Sequence, residues 1–182
     1  MSDPTVIGGG DPYVRVLIQL LDSVRLPLLS RSHAGRLRPQ PASKSTADPQ
    51  PPSRGLLDTT VFIARESGRP IDEDLLPDEA ATTVITLTEL HVGVLVAADL
   101  DTRARRLATL ESVADMHTFR VDEAAARIWA QMRVHLAETG RRLRVNDLWI
   151  AAIAAANGLP VVTQDEDFEP LRGVAGLAVI KV

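Results

Sequence analysis

At 182 residues, with 45% apolar side chains and only 3% aromatic ones, the chain holds enough aliphatic material for one ordinary domain and a short extension. It has no cysteine, which excludes disulfides, thiolate metal sites and cysteine nucleophiles, and fits a reducing, cytoplasmic compartment. A net charge of −4 argues against a general polyanion-coating protein, and with Lys44 and Lys181 as the only lysines, mechanisms that need a core lysine are nearly closed.

Residues 13–29, YVRVLIQLLDSVRLPLL, are apolar but interrupted by Arg15, Asp22, Arg25 and Pro27. The run is shorter than the roughly 20 residues that span a bilayer and lacks a basic leader, so neither a membrane span nor a signal peptide is expected. A short docking helix fits it. Residues 31–54, RSHAGRLRPQPASKSTADPQPPSR, have no apolar period and the composition of a linker. The first 54 residues carry 7 basic and 4 acidic side chains, net +3, whereas the remainder is net −7. An over-long gene start, a partner-binding tail and a docking helix all account for this part. The chain is therefore divided into an extension, residues 1–54, and a domain, residues 55–182.

From Gly55 short apolar runs alternate with helical stretches. GLLD reads as a buried strand and TTVFIARES as a helix opened by threonine. TTVIT is a second strand, and residues 87–98 a helix. Residues 101–116 set Arg103 and Arg106 against Leu107, Leu110 and Val113, a helical spacing. HTFRVD is a third strand. Residues 122–139 form a helix capped by Asp122 and stopped by Gly140. Residues 146–157 form an Ala-rich helix ended by Gly158 and Pro160. PVVTQ is a fourth strand, residues 165–171 a helical turn, and LAVIKV the last strand. This alternation predicts an α/β fold: a mainly parallel sheet covered by helices on both faces, with its site beyond the carboxyl ends of the strands.

Four carboxylates stand in or beside apolar runs: Asp58 in GLLDTTVF, Glu89 in TVITLTELHVGV, Asp147 in VNDLWIAAIAAA and Asp165 in LPVVTQDEDF. Desolvating an ionised carboxylate costs several kcal/mol unless it is paired or holds a metal. Each has a plain structural explanation. Asp58 can cap a helix, Glu89 can complement a helix dipole from the first turn, Asp147 can cap or pair with Arg144, and Asp165 can cap a surface turn. All four at the mouth of one sheet point instead to a hard divalent cation and phosphodiester chemistry. Arg141, Arg142 and Arg144 flank that mouth and are candidates for phosphate contact, or a solvated loop. His91, His117 and His135 read as surface or interface residues, and Trp129 and Trp149 as core or dimer contacts.

LLDTTVF, ITLTELHVG, NDLWIAA and VTQDEDF, in that order, resemble the PIN domain, and specifically the VapC-type ribonuclease toxins of bacterial toxin–antitoxin pairs. The resemblance covers essentially everything after the linker. It implies Mg²⁺ or Mn²⁺ held by Asp58, Glu89, Asp147 and Asp165, with Asp167 as a further acid. It also implies a supporting hydroxyl at Thr163, with Thr59 and Asn146 as additional supports. Its further implications are an RNA substrate, a cognate antitoxin that blocks the site, and a homodimer. The expected activity is hydrolysis by metal-activated water, with one ion or two. The alternative is a PIN-like RNA- or protein-binding module whose metal site is weak or silent. A haloacid-dehalogenase phosphatase would need an acid where Thr60 stands and, like a phospho-acceptor receiver domain, a core lysine; a nucleotide P-loop would need G-x-x-x-x-G-K.

Overall fold

The computed structural model describes residues 51–182. The helix expected at 13–29, and most of the extension, lie outside the described residues. Five strands, β1 (Arg54–Leu57), β2 (Glu79–Thr83), β3 (His117–Phe119), β4 (Val161–Thr163) and β5 (Val179–Lys181), form one sheet in the order β3-β2-β1-β4-β5. Every adjacent pair is parallel. The α-helices are α1 (Thr59–Ser67), α2 (Val84–Leu95), α3 (Leu100–Ser112), α4 (Glu123–Glu138) and α5 (Val145–Ala156), with 3₁₀ turns at Glu73–Leu75, Glu166–Leu171 and Val174–Gly176.

The sheet is buried on both sides because neighbouring residues of a strand point to opposite faces. Leu56 and Val161 join a core built from Ala125, Met132 and Leu136 of α4 and Leu148, Ile150 and Ile153 of α5. Leu57 and Val162, one residue further along the same strands, join Val61 and Phe62 of α1, Leu90 of α2, and Val113. Each fully buried Leu or Val contributes about 1.5–3 kcal/mol, so the four central strand residues anchor both layers. Gly55 lets β1 sit this deep. A Cβ there would meet Val162 Cγ2 at 3.0 Å and Pro77 Cγ at 3.1 Å.

Strand order reverses between β1 and β4, the switch point at which open parallel sheets place their ligands. The chain leaves β1 into Asp58 and leaves β4 into Gln164 and Asp165, so the carboxyl edge at the switch point is where two of the four acids emerge.

Two boundaries differ from the sequence reading in ways that matter for the site. TTVIT is a strand only in Thr82 and Thr83. β2 runs Glu79–Thr83, and Thr83 caps α2 by accepting from Thr86 N at 3.0 Å. The β-branched residues Val84, Ile85 and Thr86 are therefore the first turn of a helix, which ends at Leu95 rather than residue 98. Glu89 consequently lies in the helix interior, not in its first turn. The strand expected as HTFRVD stops at Phe119. The Asp122 cap holds as expected, accepting from Ala125 N at 2.8 Å. After α4 the chain turns at Gly140, φ 67°, and Arg141 N reaches Leu136 O at 2.9 Å.

Candidate active site

Asp58 ends the β1 turn as the N-cap of α1, its carboxylate 3.4 Å from Thr60 N. Capping and site-building are the work of one side chain. The same oxygen, Oδ2, accepts from Thr60 Oγ1 at 2.7 Å and Thr163 Oγ1 at 2.9 Å. The two hydroxyls lie 3.1 Å apart, and each gives its single proton to Asp58. Their lone pairs then accept from the backbone at the β4 exit: Gln164 N donates to Thr60 Oγ1 at 3.1 Å, and Asp165 N to Thr163 Oγ1 at 2.9 Å. This lattice ties the end of β1 to the end of β4. Thr163 was anticipated from the sequence; Thr60 was not, though a hydroxyl two residues after an N-cap Asp is placed to bond it.

Glu89 is buried on the inward face of α2 and is held from two other helices. Thr59 Oγ1 of α1 donates to its Oε2, and Asn146 Nδ2 of α5 to its Oε1 at 2.8 Å. Asp147 lies in the first turn of α5, buried, with Arg144 just before the helix donating from Nε to its Oδ2 at 2.7 Å. The pairing with Arg144 weighed from the sequence is therefore present, and the cap is not. Arg144 Nη2 also donates to Asp165 Oδ2 at 2.9 Å and lies 3.9 Å from Asp167 Oδ2. Asp165 caps the following 3₁₀ turn, accepting from Asp167 N at 3.1 Å. Asp167 itself is exposed.

Arg141 and Arg142 are exposed and line an open cleft with His135, Thr139, Glu166, Asp167 and Glu169. They stand at the rim, whereas Arg144 is drawn into the acid cluster. His91 and His117 are exposed, and His117 packs edge-on against Phe119. Trp129 and Trp149 stack on each other, 5.2 Å between centroids and 25° between planes, and are half-buried.

The three deepest acids, Asp58, Glu89 and Asp147, are 2%, 8% and 5% exposed. Burial raises the pKa of Asp58 and Glu89 above the ordinary carboxylate range, against the pull of the hydroxyl and amide donors. Burial likewise pushes Asp147 to about 7, against the pull of Arg144, with repulsion from Asp58 and Glu89 adding to the rise. Arg144 loses some preference for its charge through burial, but Asp147, Asp165 and Asp167 more than restore it and raise its pKa.

This is a donor set short of positive charge. All its ligating atoms would be carboxylate oxygens, which suit a hard cation such as Mg²⁺ or Mn²⁺ rather than a soft one. The chemistry fits. The present arrangement has one distinct feature: among the described residues no three Asp, Glu or His side chains converge as a ready-made ion cage. Arg144 instead gathers Asp147, Asp165 and Asp167 around its guanidinium.

Residues 55–174 match the family model for the PIN domain. The chain is 65% identical over 131 residues to Ribonuclease VapC5 of Mycobacterium tuberculosis, covering 72% of this chain and 97% of that protein. Among solved structures it resembles VapBC-5 from M. tuberculosis, a toxin–antitoxin system, with a TM-score of 0.68, 62% identity and coverage of 72% of this chain and 100% of that one. DNA-bound VapBC from Salmonella typhimurium matches with a TM-score of 0.57 and 28% identity over 69% of this chain and 96% of that one.

Proposed function

This chain belongs to the PIN-domain family, among the VapC ribonuclease toxins, and on that premise we propose that it is a divalent-metal-dependent endoribonuclease that cleaves RNA by hydrolysis. The observation that carries the proposal is the burial of Asp58, Glu89 and Asp147 together at the carboxyl edge of the sheet, near enough that their charges repel one another.

Asp58, Glu89, Asp147 and Asp165 would hold Mg²⁺ or Mn²⁺, with Asp167 at the outer edge. When bound, such an ion offsets the phosphate charge and lowers the pKa of water. Thr60 and Thr163 keep Asp58 in one orientation, and Thr59 and Asn146 do the same for Glu89. Fixed ligands of this kind reduce the reorganisation needed at the moment of reaction. Arg141 and Arg142 offer phosphate contacts on the rim and hold the RNA backbone without reading its bases. Hydrolysis of this type uses no 2′-hydroxyl and leaves 5′-phosphate and 3′-hydroxyl ends. A cognate antitoxin follows from the relatives' toxin–antitoxin complexes, and a homodimer and cytoplasmic location belong to the same reading.

Asp58→Asn and Asp147→Asn test it. Both keep the shape of the site and remove its charge. Each is expected to reduce RNA cleavage by about 100-fold or more, with folding checked by circular dichroism. Cleavage at wild-type rates by both variants would contradict the assignment. A silent-site binding module would instead bind RNA or protein with no cleavage by the wild type, and no divalent-metal binding by calorimetry.

A further inference from the structure

Arg144 is the one cation in contact with Asp147, Asp165 and Asp167 among the ion pairs of the described residues, and it meets them with different nitrogens. Nε takes Asp147 at 2.7 Å, and Nη2 takes Asp165 at 2.9 Å while standing 3.9 Å from Asp167. A guanidinium suits this task because its rigid fork can hold two carboxylates at once. The side chain is 41% exposed, so it can leave without moving the core. It stands on the segment just before α5, while Asp165 and Asp167 come from beyond β4, so its fork bridges the two parts of the chain that would supply half the metal ligands.

Sequence position sets Arg144 beside Arg141 and Arg142 at the mouth, with a pairing to Asp147 as its alternative. The geometry separates it from the others. Arg141 and Arg142 have exposed side chains on the cleft, and neither takes part in an ion pair with the four acids. Two roles remain for Arg144. It could support the ligands, holding Asp147 in a metal-ready orientation, or it could serve as the cluster's own counter-ion. The arrangement favours the second. The Arg144 contacts coincide with acids that, among the described residues, do not converge into an ion cage, and the bonds to Asp147 and Asp165 each occupy one of the two carboxylate oxygens a cation could use.

We propose that Arg144 is a resident counter-ion of the acid cluster, which neutralises Asp147, Asp165 and Asp167 before a divalent ion is taken up and must release them for the ion to bind. The inference rests on the metal-site reading given above. Arg144 competes with the metal, so it lowers affinity for the ion while stabilising the metal-free protein. Its released charge remains at the mouth, where an anionic phosphodiester can receive it.

The test is calorimetric titration of the full chain with Mn²⁺ at fixed pH, for the wild type, Arg144→Gln and Arg144→Lys. Removing a unit charge beside the site is expected to tighten Mn²⁺ binding by about tenfold or more in Arg144→Gln. Arg144→Lys, which keeps the charge and loses the fork, should fall between. In thermal unfolding, Arg144→Gln should melt lower than the wild type in EDTA and gain more from Mn²⁺, a response that a merely structural arginine would not produce. Asp147→Asn, added to each background, should abolish the binding heat and so place the ion at the cluster. If the wild type binds Mn²⁺ and both variants bind equally or more weakly, Arg144 is a support for the ligands; the inference fails and the metal reading stands. If neither wild type nor variants bind, the metal reading fails and takes this inference with it. Should Arg144→Gln not fold in EDTA, Arg144→Lys decides alone: tighter binding than wild type supports the proposal, and equal or weaker binding overturns it.

Discussion

Asp147 has the electrostatic surroundings that most directly govern how the metal-free protein responds to pH. Its carboxyl is raised from an ordinary 3.8 to about 7 by burial, with the charges of Asp58 and Glu89 adding to the rise against Arg144. Between those values the folded chain holds a proton that the unfolded chain has lost. The stability from this group is therefore fully present below about 3.8 and is lost as pH rises through about 7. Asp58 and Glu89 are shifted in the same direction. In EDTA the melting temperature should fall between pH 5 and pH 8, and Asp147→Asn should flatten that fall; thermal scans across pH measure both. A melting temperature that rose over the same range would contradict the burial argument. Thr163 supplies the second residue-scale prediction, since it both donates to Asp58 and accepts from Asp165 N. Thr163→Val keeps the shape and leaves a buried carboxylate oxygen and an amide each short of a partner, so urea denaturation should show a loss of about 1–3 kcal/mol. The acids were legible in the sequence because a charge inside an apolar run is costly and conspicuous. Thr60 was not, because a hydroxyl leaves no such mark, and its use becomes visible only when β4 brings Thr163 and Gln164 beside it.

The start of α2 shows where local pattern ceases to decide structure. Val84, Ile85 and Thr86 are β-branched and read as strand, yet the hydroxyl of Thr83 satisfies Thr86 N and starts the helix there. That cap sets the helical phase that turns Glu89 toward Thr59 and Asn146. Thr83→Ala is expected to cost about 1 kcal/mol of stability and to reduce cleavage, because the first turn of α2 loses its anchor; a variant with unchanged stability would show that tertiary packing alone sets the helix start. By contrast, the helices from Glu123 and Val145 were readable nearly to the residue, since an Asp cap, a Gly stop and an unbroken apolar run all agree there. Strand order was not legible at all: three-residue strands such as β3 and β4 carry too little pattern to specify their neighbours. Gly55 is an element-scale test of the close β1–β4 packing. Gly55→Ala should destabilise by about 1–3 kcal/mol, because its Cβ would press on Val162 and Pro77.

Over the whole molecule, an acidic protein is read as acting on a polyanion, and the sheet topology offers a way to reconcile the two. Residues 55–182 are net −7, but the buried acids lie at the switch point and the exposed Arg141 and Arg142 on the rim, so on the proposed reading the negative charge would serve the metal and the positive charge the RNA. Arg141→Ala with Arg142→Ala is expected to raise KM for RNA with little change in kcat, and to weaken the salt dependence of binding; steady-state kinetics at two salt concentrations separates the effects. The α/β class was legible from the alternation of strands and helices, whereas the bond network joining the acids depended on long-range pairing that no local spacing contains. The most direct measurement of the central claim is cleavage of total cellular RNA by the purified wild-type chain, first stripped with EDTA and then given Mg²⁺ or Mn²⁺. The account predicts no cleavage after stripping and restored cleavage with 5′-phosphate ends on adding metal. Intact RNA in both metals, or undiminished cleavage in EDTA, would contradict it.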